Sequence, residues 1–175
     1  NVSLINTVTL LQSNTTLSAA NINMSAALLT LQSVSPASID NNTLRIAAGT
    51  LTLDPASHIS ADETGFTGGN GPGGIVGERC YSSAYTTCLG AGYGGLGAQS
   101  GGTMYGSATH PTDLGSGGGT DHVGDPAGIG GGAIRLNVTG SLINNGIISA
   151  NGGSGVGGGS GGSIWVTTDS LAGTG

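Results

Sequence analysis

The amino-acid sequence predicts an all-β fold, a right-handed parallel β-helix that carries a long glycine-rich insertion. Three observations lead to this fold class. Apolar and polar residues alternate in several short runs, which is typical of half-buried strands. A stretch of sequence recurs along the chain, which is typical of stacked repeats. Glycine is segregated, because residues 1–64 contain one of the 37 glycines and residues 65–175 contain the other 36.

Alternating apolar residues fill the glycine-poor part of the chain. No segment there keeps a 3.6-residue period beyond one turn, so strand is preferred to a short helix even over residues 20–31. The apolar sets predicted to share a face are Val2, Leu4, Val8 and Leu10 of one long N-terminal run, then Leu29 and Leu31, then Leu44, Ile46 and Ala48, then Leu51 and Leu53, and finally Ile59 and Ala61.

An internal repeat predicts the architecture. Residues 44–61, 134–152 and 164–171 each begin with a strand and a bend at Gly or Asp, and the first two copies continue to Ile-Ser-Ala. One such unit cannot bury its own apolar face, whereas stacked units can. Stacked parallel strands joined by crossovers are expected to be right-handed. The repeat therefore favours a parallel β-helix.

A long insertion separates the first two copies of the repeat. It covers residues 65–130 and contains the four tyrosines, Tyr81, Tyr85, Tyr93 and Tyr105. We expect an ordered flap with stretches like polyglycine II, packed on one sheet, because glycine lets backbone approach backbone. The chain is thus predicted to be one module, with N-terminal strands in 1–43, a repeat coil in 44–64, the flap in 65–130 and repeat coils in 131–175.

Charge is scarce and mostly negative. Charged residues make up 7% of the chain, lysine is absent, and the formal net charge is −6. The three basic residues, Arg45, Arg79 and Arg135, are too few to neutralise a phosphate backbone or an anionic membrane surface. Nucleic acid and membrane insertion are therefore not predicted, and no apolar stretch is long enough to span a bilayer. Without an initiator Met, the sequence is expected to be a mature chain or a fragment.

Sequons and cysteines indicate an extracellular setting. Cys80 and Cys88 are predicted to form a disulfide. Because the loop that it closes is short, the disulfide is expected to stabilise the fold by about 2–3 kcal/mol. A redox or metal pair is the alternative, but the CxxC spacing and a supporting histidine cluster are lacking. Five Asn-x-Ser/Thr sequons are candidate glycosylation sites, namely Asn1, Asn14, Asn23, Asn41 and Asn137. Period-2 alternation turns Asn137 outward, where a glycan fits.

The sequence offers weak candidates for a metal site. Asp113, Asp121, His122 and Asp125 are the densest polar cluster. They could bind Ca²⁺ or act as a carboxylate pair, but turn chemistry is the preferred interpretation, because the periodic Asp of calcium-binding repeats is absent. No metal and no cofactor are predicted.

Catalysis is not predicted either. A polysaccharide-degrading β-helix needs a base and cationic groups, and this chain has no Lys and three Arg. Composition permits a Ser-His-Asp triad, yet no nucleophile-elbow motif is present.

One set of outward side chains is predicted to form a ladder. Arg45, Arg135 and Trp165 occupy the same position in the three repeat copies. Strand spacing would place Arg135 about 4.8 Å from Trp165, which suits a cation–π contact. An exposed Trp165 could also contact a sugar or a subunit, although cover by the glycine-rich flap is the preferred interpretation.

Four glycine-rich stretches, residues 115–119, 130–136, 146–152 and 158–166, carry a resemblance. They resemble a glycine-rich module of very large extracellular surface proteins of protists and some bacteria, and the resemblance extends over residues 44–175. It implies an extracellular β-solenoid with a structural or adhesive role, and it carries over no catalytic residues.

The predicted function is that of a structural subunit of an extracellular fibre, filament or cell-surface sheath. Its expected partners are copies of itself, bound end to end through β contacts in which residues 1–12 pair with the C-terminal coil of the next copy. The rival interpretation is that residues 1–12 are the first coil of the same solenoid. The alternative functions are an adhesin or carbohydrate-binding surface module and, less favoured, a polysaccharide-degrading enzyme.

Overall fold

The computed structural model describes residues 1–35, 37–75, 88–120 and 126–175. Over these residues the protein is all-β, with one 3₁₀ turn at Ala98–Ser100 and no α-helix. The strands are β1 (Val2–Ile5), β2 (Val8–Leu11), β3 (Thr16–Ser25), β4 (Leu28–Leu31), β5 (Thr43–Leu53), β6 (His58–Ser60), β7 (Ala133–Asn144), β8 (Ile147–Ser149) and β9 (Ser163–Ala172). The all-β prediction is confirmed, and residues 20–31 lie in or between strands β3 and β4.

The strands form two sheets in which every pairing is parallel. Sheet A has the order β1-β3-β5-β7-β9, and sheet B has the order β2-β4-β6-β8. The chain therefore passes from sheet A to sheet B and back, and each strand pairs with the next strand of its own sheet. We call a sheet A strand and the sheet B strand that follows it a rung.

The core consists of columns of inward side chains that run from rung to rung. One column crosses sheet A through Val2, Ile22, Leu51, Leu142 and Leu171, which the parallel register places side by side. Its three central members are at most 1% exposed. Burying such a side chain contributes roughly 1.5–3 kcal/mol relative to leaving it in water, so these columns hold the rungs together.

The predicted N-terminal face is wrong for Val8 and Leu10. Val2 and Leu4 face the core, whereas Val8 and Leu10 are 74% and 53% exposed, and their neighbours Thr9 and Leu11 point inward. The reason is Asn6, which has a φ of 49° and ends β1. This left-handed residue makes the corner between the sheets, and the alternation restarts after it in the opposite phase.

Successive corners between the two sheets lie beside each other and are joined by hydrogen bonds. Ala26 has a φ of 48° at the corner between β3 and β4, which is a rare conformation for a residue with a Cβ. The Asp54 carboxylate accepts hydrogen bonds from the Ala26 amide and from the hydroxyls of Ser25 and Ser57. The Ser57 hydroxyl and the Ala26 amide hold the pKa of Asp54 below its ordinary value. The carboxylate thus links two successive corners.

The internal repeat corresponds to β5–β6, β7–β8 and the beginning of β9. The register pairs Arg45 with Arg135 and Arg135 with Trp165, which is the alignment that the repeat predicts. Two further rungs, β1–β2 and β3–β4, precede it with the same topology. Of the two interpretations of residues 1–12, this placement favours the first rung of the same sheets.

The glycine-rich connections return the chain from sheet B to sheet A. Their described residues, 61–75, 88–120, 126–132 and 150–162, pack on each other through many backbone hydrogen bonds. Examples are the amides of Gly65, Gly115 and Gly128, which donate to the carbonyls of Gly130, Gly131 and Gly157 at 2.6–2.8 Å. A Cβ on Gly130 would overlap the Gly115 carbonyl oxygen, so this spacing requires glycine.

Candidate functional site

The two ends of the sheets differ from their middle. At one end, β1 and β2 are edge strands, and at the other, β8 and β9 are. Inward residues of the end rungs, such as Val2, Leu4 and Leu11, are only partly buried, although they contact the core. Leu171, the last member of the column that contains Ile22 and Leu51, is 69% exposed. Among the described residues, both edges therefore keep unpaired backbone groups beside uncovered apolar side chains.

Sheet A extends one strand beyond sheet B at the C-terminal end. This difference leaves a cavity of about 290 Å³ above the last rung. It is lined by Leu142, Asn144, Ile148, Val166, Leu171, Ala172, Gly173 and Gly175. The core opens to solvent at this point.

A polar column runs beside the apolar one on the outer face of sheet A. The side-chain Nδ2 of Asn21 donates to Asn1 Oδ1 at 2.7 Å, and the Thr50 hydroxyl donates to Asn21 Oδ1 at 2.7 Å. Near the other end, the hydroxyl of Ser170 donates to that of Ser141 at 2.9 Å. Asn1 beside β1 and Ser170 on β9 are therefore polar side chains at the two ends of sheet A, and they resemble those that form hydrogen bonds between the inner strands.

The outer-face ladder brings together a cation and the single tryptophan. The Arg135 guanidinium carbon lies 4.8 Å from the Trp165 ring centroid, and the His110 ring meets Trp165 edge-on with centroids 5.4 Å apart. Arg45 takes no part in this stack, because its guanidinium donates to the carbonyls of Ile39, Asp40 and Thr43. Trp165 is half-buried and is held from two sides, so its ring has a fixed orientation.

The candidate glycosylation sites are distributed over sheet A and its corners. Asn137 is exposed between the buried Leu136 and Val138, so the outward orientation predicted for it is confirmed, and Asn23 is exposed in the same way on β3. Asn1 and Asn14 are exposed, and Asn41 is half-buried. Attached glycans remain a prediction.

Several predicted sites involve residues outside the described part of the chain. Cys88 is buried, but Cys80 lies outside the described residues, so the disulfide remains a prediction. Asp121, His122 and Asp125 lie outside as well, as do Arg79, Tyr81 and Tyr85. Over the ranges described above, no three His, Cys, Asp or Glu side chains are placed to hold a metal ion, and Asp113 joins no such group.

One polar network was not predicted. Ser149 Oγ donates to Asp62 Oδ2 at 2.8 Å and lies 2.7 Å from His58 Nε2. The Asn151 amide donates to Asp62 Oδ1 at 2.6 Å. Because the one serine proton goes to the carboxylate, His58 Nε2 must be the donor to Ser149. The signal was the repeated Ile-Ser-Ala motif, since Ser60 pairs with Ser149.

The chemistry of this network follows from its order. Nucleophilic catalysis by serine places the imidazole between hydroxyl and carboxylate, so that the imidazole takes the serine proton. Here the hydroxyl of Ser149 lies between the imidazole and the carboxylate, and Ser149 is 9% exposed. Partial burial raises the pKa of Asp62, but hydrogen bonds from Asn151, Ser149 and Ser60, with nearby His58, outweigh it and hold the pKa below its ordinary value. The arrangement suits a link between β6 and β8.

No protein-family model, curated protein or solved structure matches this chain. Among the described residues, no helix has the length and hydropathy needed to cross a membrane.

Proposed function

We propose that this chain is a non-catalytic structural subunit of an extracellular fibre, filament or cell-surface sheath, and that its copies assemble end to end. The observation that carries the proposal is the column through Val2, Ile22, Leu51, Leu142 and Leu171. It is buried in the middle of sheet A and is uncovered at both ends, where Val2 is half-buried and Leu171 is 69% exposed.

The finer architecture belongs to the same proposal. Alternation of the chain between two parallel sheets supports a right-handed parallel β-helix in which each rung is part of one coil. The glycine-rich connections would then form the third side. Such a solenoid can continue through a neighbouring copy, because each coil contacts only the coils before and after it.

The contact is expected between β9 of one copy and β1 of the next. Val2 of the next copy would follow Leu171 in the apolar column, and its Asn1 would follow Ser170 in the polar column beside it. Sheet A carries this contact, because sheet B ends one strand earlier. Two different edges meet, so the contact is heterologous and continues into a filament instead of closing a dimer.

The proposal is tested by placing a charge on the exposed end of the column. Leu171→Asp is expected to abolish filaments, because association would bury an unpaired carboxylate, while the single chain stays folded because Leu171 is largely exposed. Leu96→Asp is the matched control, since Leu96 is 61% exposed in a glycine-rich connection. Negative-stain microscopy and sedimentation measure assembly, and circular dichroism measures folding.

Two results would contradict end-to-end assembly. One is Leu171→Asp material that polymerises as well as the Leu96→Asp control. The other is a native polypeptide whose own sequence continues the rungs beyond β9, which intact-mass measurement of the native material would reveal. In that case the same chain, rather than a second copy, covers the exposed column.

The extracellular, glycosylated character is supported by the sequons and by the resemblance to surface-protein modules. Asn23 and Asn137 combine a sequon with an exposed side chain on a strand. Glycopeptide mass spectrometry of native material is the measurement, and an unmodified Asn137 would contradict the glycoprotein assignment at that site.

A carbohydrate-binding surface module is the second candidate function, and one observation favours it. Trp165 is held by Arg135 and His110 beside a small cavity of about 40 Å³ that also contacts Thr112. If this cluster binds sugar, saccharides will change the fluorescence of the single tryptophan, and Trp165→Ala will abolish binding measured calorimetrically. An unchanged spectrum across neutral and acidic oligosaccharides would remove this candidate.

A further inference from the structure

The two arginines that the structure describes lie side by side on the outer face of sheet A. The register pairs Arg45 on β5 with Arg135 on β7, and adjacent strands are about 4.8 Å apart. Both side chains point outward, because both sequence neighbours of each arginine are buried. Two positive charges at this spacing repel each other, although the formal net charge of the whole chain is −6. Their pairing therefore favours an anion that lies between them.

Neither arginine has a carboxylate partner among the described residues. The Arg45 guanidinium donates to three backbone carbonyls within residues 39–43. The guanidinium carbon of Arg135 lies 4.8 Å from the Trp165 ring centroid, and its N–H groups donate no hydrogen bond to a described residue. A cation–π contact holds a guanidinium in place without requiring its five N–H donors. Arg135 is therefore oriented, charged and able to donate to a ligand.

A small cavity lies beside the two guanidinium groups and the indole. Its volume is about 40 Å³, and its wall includes Arg45, Arg135, Trp165 and Thr112. About 10–15 Å³ of such space holds one water molecule, so the cavity has room for about three waters. A carboxylate group has three heavy atoms and fits the same space, whereas a sugar ring is too large for it. The size and the charge of this cavity thus indicate a single carboxylate.

A larger cavity adjoins the small one at Pro111, which lines both. Its volume is about 460 Å³, and its wall includes Tyr93 and Tyr105, whose rings pack edge to face with centroids 4.8 Å apart. This volume lies within the range of small-molecule sites, about 300–1,000 Å³. Tyrosine combines an apolar ring with a hydroxyl, which suits a ligand whose faces are apolar and whose edge carries hydroxyls. A sugar ring has these properties.

We propose that the two adjoining cavities bind an acidic saccharide, with a sugar carboxylate between Arg45 and Arg135 and the neighbouring sugar ring against Tyr93. The proposal rests on carbohydrate binding, the second candidate function above, and it adds the class of sugar, a uronic acid. Arg135 donates to the carboxylate, and charge-assisted hydrogen bonds of this kind are about twice as strong as neutral ones. The net negative charge of the chain permits the contact, because salt screens charges beyond about 8 Å at physiological ionic strength.

On the ligand side, the test compares trigalacturonic acid with its full methyl ester. The two share their sugar rings and hydroxyls, and the ester lacks the negative charges. The protein contains one tryptophan, so its fluorescence reports on Trp165 directly, and calorimetry gives the affinity. Because hydrogen bonds to charged groups are among the stronger ones, we expect the acid to bind at least about tenfold more tightly than the ester. Higher salt should weaken binding of the acid alone.

On the protein side, Arg135→Gln keeps a long polar side chain and removes the charge. We expect this variant to bind the acid about tenfold more weakly and to bind the ester as the wild type does. Arg135 is exposed, so the variant should fold, which circular dichroism checks. Thr167→Gln is the matched control, because Thr167 is exposed on β9 two residues after Trp165 and lines neither cavity. The control should bind both ligands with wild-type affinity.

The possible failures distinguish the claims from one another. Equal affinity for the acid and the ester would overturn the carboxylate site and leave the carbohydrate-binding candidate in place. An equal loss of acid binding in Arg135→Gln and Thr167→Gln would overturn the role of Arg135. Displacement of the acid by the same concentration of acetate would overturn the saccharide and leave a site for small anions. A wild-type protein that binds neither ligand would overturn both the acidic-saccharide site and the carbohydrate-binding candidate.

Discussion

The rungs and the glycine-rich connections hold the chain together in different ways. In the rungs, apolar side chains such as Leu51 and Leu136 fill the space between the sheets and are 0% exposed. In the connections, glycines such as Gly115 and Gly131 pack backbone against backbone and are linked by amide-to-carbonyl hydrogen bonds. The first arrangement needs apolar volume, whereas the second needs the absence of a side chain.

This difference determines which substitutions each region tolerates. A column between the sheets accepts different apolar residues at one position, as Ile22, Leu51 and Leu142 show. A glycine whose Cβ would overlap a neighbouring carbonyl cannot be replaced by a larger residue unless the backbone moves. The predictions below test that contrast, from the largest expected effect to the smallest.

Removal of side-chain volume should harm the rungs most. Leu51→Ala leaves a cavity in the central column of sheet A, where Leu51 is 0% exposed, and we expect a loss of about 2–5 kcal/mol in the free energy of unfolding. Leu96→Ala in a connection, with Leu96 61% exposed, should change it by less than about 0.5 kcal/mol. Urea unfolding followed by circular dichroism is the measurement, and equal losses in the two variants would refute the side-chain core.

Addition of a single methyl group should harm the connections instead. Gly130→Ala forces a Cβ against the Gly115 carbonyl, and overpacking of this kind costs about 1–3 kcal/mol. Apart from the adjacent residues in the sequence, no heavy atom of the described part of the chain lies within 4 Å of the Cβ position at Gly158, so Gly158→Ala is the matched control. Limited proteolysis should cut residues 61–132 faster in the first variant alone. Equal protection in both variants would show that backbone packing does not hold this segment.

Acid should weaken the link between the two regions. Asp62 joins Ser149 of β8 to the Asn151 amide at the start of a connection, and its pKa is lowered in the folded chain. A carboxyl with a lowered folded pKa stabilises the fold above its unfolded pKa, about 3.9, and this stability is lost as the pH falls through the folded value.

The corresponding variant is Asp62→Asn. Its thermal midpoint should vary less between pH 6 and pH 2.5 than that of the wild type. The control is Asp169→Asn, since Asp169 is exposed on β9 of sheet A. The pH dependence of its thermal midpoint should equal that of the wild type. An Asp62→Asn profile that falls as steeply as the wild type would remove Asp62 from the acid response.

The sequence predicted the strands best where period-2 alternation coincided with a repeat. Arg45, Arg135 and Trp165 could be aligned from sequence because the residues around them recur, and the register confirms that alignment. The first two rungs share the topology but not the recurring residues, because a column accepts any apolar side chain that fits. Their membership of the same sheets was therefore not visible as a repeat.

The error at Val8 and Leu10 has a local cause with a long-range effect. The apolar residues Val2, Leu4, Val8 and Leu10 share one period-2 phase that is interrupted at Asn6, and the left-handed Asn6 turns the chain from one sheet to the other. A single Asn in the run permits a corner but does not require one, so the sequence leaves open one long strand or two short strands. Parallel pairing with β3 and β4 decides between them.

The sequence alone determined the all-β class, the alternation of the inner strands and the regions where glycine is needed, because local backbone preference and side-chain period are properties of neighbouring residues. The tertiary structure alone decided which residues meet across the rungs. His58 and Ser149 are separated by 91 positions and touch because β6 and β8 pair in parallel. Contacts of that kind depend on where the connections return the chain to its sheet. The connections differ in length, so the pairing of distant strands cannot be read from a local sequence pattern.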